Sequence, residues 1–260
     1  MRIYRRTSWI LAGMFGLYLL AGMPASVAQP PSTADPKSYL ADVVGELEKS
    51  WPDNRTVNIV AHGHSVPAGY FKTPLVDSFN AYPLLLHRWL GAAFPHAVIN
   101  VIVTAIGGED STGGARRFER DVLALRPDVV LIDYGLNDRG IGLEKARRAW
   151  SQMIEEAKAH AVKVILLTPT ADTGANLDDP NDPLNQHAAQ IRELAASYHV
   201  ALADSLAAVR AYVAGGGQLA ELMSQVNHPN RKGHDLVVDE LQRWFAIPAG
   251  KTEGLPGASH

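Results

Sequence analysis

The sequence predicts a three-layer α/β/α domain around a central, mostly parallel five-stranded sheet. Five short segments are apolar throughout, as expected for strands that are covered on both faces of a sheet. Segments with helical spacing alternate with them, which is the pattern of parallel sheets. No internal repeat or second core is visible in the 260 residues, 47% of which are hydrophobic. We therefore expect one sizeable domain, at residues 37–247.

The first half of this domain alternates as the fold requires. Residues 37–51 have apolar side chains at helical spacing. Residues 57–61 are predicted as the first strand, and residues 66–80, which contain two prolines and a glycine, as a long loop. A helix follows at 81–93, with a proline in its first turn, where the missing N–H costs little. Residues 98–103 form a near-continuous apolar run and are the second predicted strand.

The middle of the domain continues this alternation. Residues 116–125 are predicted as a helix that Pro127 stops. The third strand is predicted at 129–133 and the fourth at 162–167. The amphipathic segment between them, residues 143–161, is predicted as a long helix.

The last part begins with a polar loop at 170–183 that is rich in Asp, Asn and Pro. Residues 184–198 are predicted as a helix and residues 200–202 as a short fifth strand. Two further helices are predicted to begin at Ser205 and Lys232.

The N-terminus differs in kind from the rest. Three arginines precede an apolar run at 9–23, and small residues follow up to Ala28. This pattern is typical of a secretory signal peptide, residues 1–28. The alternative is a membrane anchor, but the run is shorter than the ~20 residues that a spanning helix needs. We expect a periplasmic or secreted protein with no stable membrane anchor after cleavage.

Residues 29–36 are expected to be a flexible leader and residues 248–260 a loose tail.

The composition limits which classes of partner we expect. Removal of residues 1–28 would leave 21 basic and 27 acidic residues, a net charge of −6. No basic patch stands out, so we expect no nucleic-acid partner. The absence of cysteine excludes disulfides and thiolate catalysis. The sequence does not indicate an oligomeric state.

Several polar residues follow predicted strand ends. In sheets of this kind, ligands bind outside the carboxyl ends of the strands. Ser65, Gly108, Asn137 and the loop at 170–183 all lie just after a strand. They should therefore meet at one edge of the sheet, whatever their separation in sequence.

Each of these residues has a functional and a structural interpretation. Ser65 is a nucleophile if a base takes its proton, or else the N-cap of a helix. It does not lie in the G-x-S-x-G motif, because Pro67 takes the place of the second glycine. Gly108 either forms a turn or presents an N–H to an oxyanion. Asn137 could donate its amide to the same oxyanion, or serve a turn.

Histidine supplies the candidate general base. His228 precedes the last helix, and an ordinary imidazole pKa of ~6.5 suits the role, although a loop histidine can simply be solvated. We expect His234 to be structural. The other histidines, including His62 and His64, do not have a ligand spacing supported by carboxylates, so we predict no metal and no cofactor.

Together, four segments resemble the SGNH hydrolases, also called the GDSL esterase family. Gly63-His64-Ser65 matches the Gly-Asp-Ser block, with His64 in place of an aspartate that is usually structural. Residues 106–109 match the second block, residues 135–138 are an intact Gly-x-Asn-Asp, and residues 228–229 match the final His-Pro. The resemblance covers nearly the whole chain after residue 28. It implies the flavodoxin-like fold of that family.

The resemblance also implies the roles of the site residues. Ser65 corresponds to the nucleophile and His228 to the base. The backbone N–H groups of Ser65 and Gly108 and the side chain of Asn137 correspond to the oxyanion hole. The family's aspartate three positions before the histidine is replaced by Gln225. Loss of the acid in a well-studied triad lowers the rate by about 10⁴.

Three groups could take the place of the missing acid. Gln225 could orient His228 through its amide oxygen, a main-chain carbonyl could do so, or a carboxylate from elsewhere in the chain could act. We favour a Ser-His dyad in which a neutral acceptor orients His228, and Gln225 is the candidate for that acceptor.

The resemblance implies an esterase that hydrolyses carboxylic esters through an acyl-enzyme. The polar loop favours a small-molecule or glycan ester substrate, with an acetyl group on a carbohydrate-like alcohol. The alternatives are a lysophospholipase or arylesterase of the same fold, or a secreted glycan-binding protein that has lost catalysis.

Overall fold

The computed structural model describes residues 32–245, and in it five parallel strands form one sheet in the order β2-β1-β3-β4-β5. The strands are β1 (Thr56–Gly63), β2 (Val98–Val103), β3 (Val129–Asp133), β4 (Lys163–Leu167) and β5 (Ala201–Ala203). The predicted α/β fold with a central parallel sheet is therefore confirmed. The predicted signal peptide, residues 29–31 of the predicted leader and the predicted tail lie outside the described residues.

Helices cover both faces of this sheet. They are α1 (Ala41–Leu47), α2 (Ser65–Ala68), α3 (Tyr82–Ala93), α4 (Ser111–Arg116), α5 (Phe118–Asp121), α6 (Leu143–Ala159), α7 (Pro183–Tyr198), α8 (Ser205–Ala214) and α9 (Arg231–Gln242). Alternate strand residues point to opposite faces. Ile59 accordingly packs in a core with α1, α3 and α9, whereas Val60 packs in a second core with α5 and α6.

Several elements differ from the prediction. The helix expected at 37–51 is the shorter α1, and α2 lies at the start of the segment expected to be a loop at 66–80. The helix expected at 116–125 is two short helices, α4 and α5, and the first begins earlier because the Asp110 carboxylate caps it by accepting from Thr112 N and Gly113 N. The strand β2 is apolar but lies at the sheet edge, where the side chain of Val98 is exposed.

A small antiparallel pair was not predicted. Its strands are β6 (Met223–Gln225) and β7 (His228–Pro229). Asn230 then caps α9 by accepting from Gly233 N. The pair places His228 directly before α9, near the carboxyl edge of the main sheet.

Within residues 32–245, no helix combines the length and apolar character needed to cross a membrane.

Candidate active site

Ser65 lies where β1 ends and α2 begins. A Cβ on Gly63 would lie 2.4 Å from the carbonyl oxygen of Asp133, so only glycine allows β1 and β3 to approach this closely before the chain turns. The N-cap of α2 is His64, whose Nδ1 accepts from the N–H of Val66 at 3.3 Å. The structure therefore gives the capping role to His64 and leaves the Ser65 hydroxyl for other contacts.

His228 contacts that hydroxyl. Its Nε2 lies 2.9 Å from Ser65 Oγ, although the residues are 163 positions apart. Its Nδ1 lies 3.1 Å from the carbonyl oxygen of Phe71. Because a carbonyl only accepts, Nδ1 carries the ring proton and Nε2 carries the lone pair. This tautomer is the one in which the imidazole can take a proton from Ser65.

Gln225 does not orient His228, and the sequence-based suggestion that it could is wrong in this structure. Its Oε1 accepts from the N–H of Thr73 at 2.9 Å, and its Nε2 donates to Thr73 Oγ1 and Asn227 Oδ1, both at 3.2 Å. The amide is thus occupied by Thr73, in the loop after α2, and by Asn227. The neutral acceptor that we expected is the main-chain carbonyl of Phe71, in the same loop.

Three donors follow strand ends, as predicted. Gly108 has φ +78°, in the left-handed region that favours glycine, and space around it is open. The N–H of Ser65 is at the first position of α2, where no helical acceptor exists. Asn137 donates one Nδ2–H to the carbonyl oxygen of Glu109 at 2.9 Å, which identifies its nitrogen and leaves a second N–H for a ligand.

Glu109 ties Gly108 and Asn137 to the protein interior. Its carboxylate accepts from Arg117 Nε and Nη2, at 3.0 and 2.5 Å, and from the Tyr134 hydroxyl at 3.0 Å. Bidentate guanidinium contacts restrict orientation as well as adding energy. The backbone of Glu109 therefore holds both the turn at Gly108 and the amide of Asn137 in place.

Comparison with known proteins decides the family. The model of the GDSL-like lipase/acylhydrolase family matches residues 61–236. The chain belongs to this family. It is thus a carboxylic ester hydrolase of the GDSL type, and the family resemblance inferred from the sequence is confirmed.

Relatives of this GDSL hydrolase include esterases that act on glycans. An acetylxylan esterase from Geobacillus stearothermophilus is 25% identical over 166 residues, which cover 59% of this chain and 75% of the relative. A crystal structure of acetylxylan esterase from that organism has a TM-score of 0.64 at 22% identity, covering 73% of this chain and 94% of that one. A two-domain esterase active on acetylated mannans has a TM-score of 0.68 at 21% identity, covering 87% of this chain and 56% of that one.

Burial lowers the pKa of several histidines, including the candidate base. Burial lowers the pKa of His228 below its ordinary value, and the Phe71 carbonyl partly opposes this shift. His62 and His234 are more deeply buried, and desolvation lowers the pKa of each to about 3. The Nδ1 of His234 accepts from the N–H of Tyr82 at 3.2 Å, which agrees with the structural role predicted for it.

Sequence reasoning missed two parts of the site. The Phe71 carbonyl is a backbone group, and no residue type marks it. Asp133 is a buried carboxylate at the end of β3, beside Gly63 in the strand register. A signal for Asp133 was present, because one acidic residue ends an otherwise apolar run.

Proposed function

We propose that this hydrolase is an exported esterase that removes small acyl groups, above all acetyl, from a carbohydrate-like alcohol. The observation that carries the proposal is the 2.9 Å contact between Ser65 Oγ and His228 Nε2, in the tautomer that leaves Nε2 as acceptor. Gly108 follows β2 and Asn137 follows β3, the strands on either side of β1, and both offer donors for a developing oxyanion.

In the proposed reaction, His228 takes the Ser65 proton as Oγ attacks the ester carbonyl. The N–H groups of Ser65 and Gly108 and the amide of Asn137 hold the oxyanion. His228 then gives its proton to the leaving alcohol oxygen, and the acyl group stays on Ser65. Water hydrolyses this acyl-enzyme by the reverse sequence, with His228 again as base.

The position of the Tyr70 ring favours a substrate with a small acyl group. It lies beside the His228 ring, with 5.9 Å between the ring centroids. It also packs on Gly107 so closely that a Cβ there would be 2.9 Å from ring atoms. An aromatic ring between the base and the turn before Gly108 leaves little room for a long chain.

Support for a glycan alcohol comes from the relatives rather than from the polar loop. In the loop at 170–183, Asp172 accepts from Arg139 and Gly174, and Asp182 caps α7. The Nδ2 of Asn185, in α7, lies within hydrogen-bond distance of three loop carbonyls and shares its two N–H groups among them. These groups hold the loop itself, so the polar composition alone no longer favours a sugar. The esterases named above act on acetylated xylan and mannan.

Hydrolysis of aryl acetate tests the chemistry. We expect turnover by the wild-type protein, its loss in Ser65→Ala, and covalent labelling of Ser65 by a phosphonylating reagent. Folded wild-type protein with neither turnover nor label would refute the reaction and would favour the glycan-binding alternative.

Two comparisons test the substrate. Across an aryl ester series, acetate should be cleaved faster than octanoate, whereas a preference for octanoate would favour the lipase alternative. Release of acetate from acetylated xylooligosaccharides or mannooligosaccharides should exceed release from a lysophospholipid analogue. Equal rates on all of these would remove the glycan from the proposal.

Export is tested on the expressed full-length chain. Mass spectrometry of protein from the periplasm or medium should find a new N-terminus after Ala28. An intact N-terminus on membrane-bound protein would support an anchor instead.

A further inference from the structure

A buried pair lies behind Ser65 that the proposed reaction does not use. His64 Nε2 is 3.3 Å from Asp133 Oδ1, and the two side chains are 1% and 2% exposed. The two groups are not aligned as a regular hydrogen bond, and both atoms lack another partner. Unsatisfied buried polar atoms are rare enough that each one requires an explanation.

The contacts of His64 determine its tautomer. Its Nδ1 accepts from the N–H of Val66 at 3.3 Å, so Nδ1 carries the lone pair. The ring proton is then on Nε2, which faces the Asp133 carboxylate. The same Nδ1 lies 3.4 Å from Ser65 Oγ. Ser65 therefore contacts two imidazoles, and the one from His64 has a carboxylate behind it.

Few groups besides His64 are placed to stabilise a negative charge on the Asp133 carboxylate. Within residues 32–245, His64 is the one basic side chain within ion-pair distance of it. The Tyr82 hydroxyl is buried nearby, and burial together with the Asp133 charge raises the pKa of that hydroxyl. A buried carboxylate without a cation is costly, so its place beside the nucleophile calls for a role.

We propose that Asp133 and His64 are positioning residues for Ser65. Asp133 keeps the His64 proton on Nε2, so the Nδ1 lone pair accepts from the Val66 N–H and fixes the ring beside Ser65. The hydroxyl proton stays directed at His228 Nε2, and the 3.4 Å contact with the His64 ring limits where Oγ can lie. This arrangement keeps Oγ in the position that faces His228. The pair thus gives the nucleophile a neighbouring imidazole that faces a carboxylate. The His228 imidazole, in contrast, has the neutral Phe71 carbonyl as its partner. The inference rests on the proposed function.

A purely structural role for His64 as helix cap makes a different prediction. In His64→Asn, the amide oxygen can replace Nδ1, and asparagine is among the best N-caps. That variant keeps the cap but removes the atom that faces Asp133. In His64→Gln, the amide nitrogen can replace Nε2, but the ring beside Ser65 and its acceptor for the Val66 N–H are removed.

The experiment measures kcat, KM, the rate of Ser65 phosphonylation and the melting temperature for His64→Asn, His64→Gln, Asp133→Asn and the double variant His64→Asn/Asp133→Asn. Each single change should lower kcat and the phosphonylation rate on the order of 10²-fold, as a displacement of about 1 Å of a reacting group does. KM should change little. The double variant should be no slower than His64→Asn, because both changes break the same chain of contacts.

Several results would overturn the inference while leaving the proposed function intact. Wild-type kcat in His64→Asn would reduce His64 to a helix cap. Multiplying losses in the double variant would show that the two residues act independently. If Asp133→Asn does not fold, the two His64 variants decide alone, and both must be slow. A wild-type protein without turnover would instead refute the proposed function, and this inference with it.

Discussion

Replacement of Gln225 by alanine should slow the enzyme far less than replacement of His228. The amide of Gln225 makes two contacts with Thr73, at 2.9 and 3.2 Å, and none with the imidazole. These contacts hold the loop that carries the Phe71 carbonyl, the acceptor for His228 Nδ1. Gln225 can therefore affect catalysis only through the position of that loop.

The expected size of each effect follows from these contacts. A net hydrogen bond is worth about 0.5–1.5 kcal/mol, so loss of both bonds to Thr73 removes about 1–3 kcal/mol. If all of this appeared in the barrier, kcat would fall by about 5-fold to 150-fold. His228→Ala removes the base itself and should cost at least about 10⁴-fold.

Steady-state hydrolysis of aryl acetate measures both losses, and Gln225→Glu is the matched control. Glutamate keeps an oxygen for the N–H of Thr73, so this variant should be faster than Gln225→Ala. Equal losses in Gln225→Ala and His228→Ala would refute the assignment of the orienting role to the Phe71 carbonyl.

Four further predictions concern the same site and its support. Because His228 must be neutral to accept a proton and burial lowers its pKa, kcat/KM should fall with decreasing pH through a midpoint below the ordinary ~6.5; a midpoint above that value would contradict the burial argument. Asn137→Ala should lower kcat by about 10²–10³ with little change in KM or melting temperature, as loss of an oxyanion donor does; a rise in KM alone would assign the amide to substrate binding. Tyr70→Ala should raise the rate on octanoate relative to acetate, and an unchanged ratio would remove the ring from the acyl site. Asp138 accepts from Ser111 N and Trp150 Nε1 at 2.8 and 2.7 Å in the interior, so Asp138→Ala should lower the free energy of unfolding by about 2–6 kcal/mol; urea denaturation measures this, and Trp150→Phe, which removes one donor, should cost less than Asp138→Ala.

The sequence predicted those parts of the site that have a residue signature. Ser65, Gly108 and Asn137 each follow an apolar strand, and parallel strands bring their carboxyl ends to one edge. His228 was identifiable because a proline and a helix start follow it. The orienting acceptor was not identifiable by residue, since every residue has a carbonyl and only the tertiary path of the loop brings that of Phe71 to the ring.

The fold shows the same division between pattern and tertiary contact. The strands and the long helices were evident from apolar spacing, because burial on two faces requires it. The early start of α4 depends on the Asp110 cap, and the β6–β7 pair contains only a few residues, so neither has a long enough pattern to be detected. The polar loop was misleading for a related reason. Its Asp and Asn side chains bond to their own backbone, as such residues commonly do in turns.

The group that accepts from His228 Nδ1 belongs to the peptide backbone, and this affects which mutations can remove it. A carboxylate in that position would be lost through a single codon substitution, whereas every amino acid brings the same carbonyl to position 71. Point mutation therefore cannot delete this group, although an insertion or deletion between Tyr70 and Val76 would move it. Tolerance to substitution combined with intolerance to length variation in this short stretch is what a library of variants should reveal.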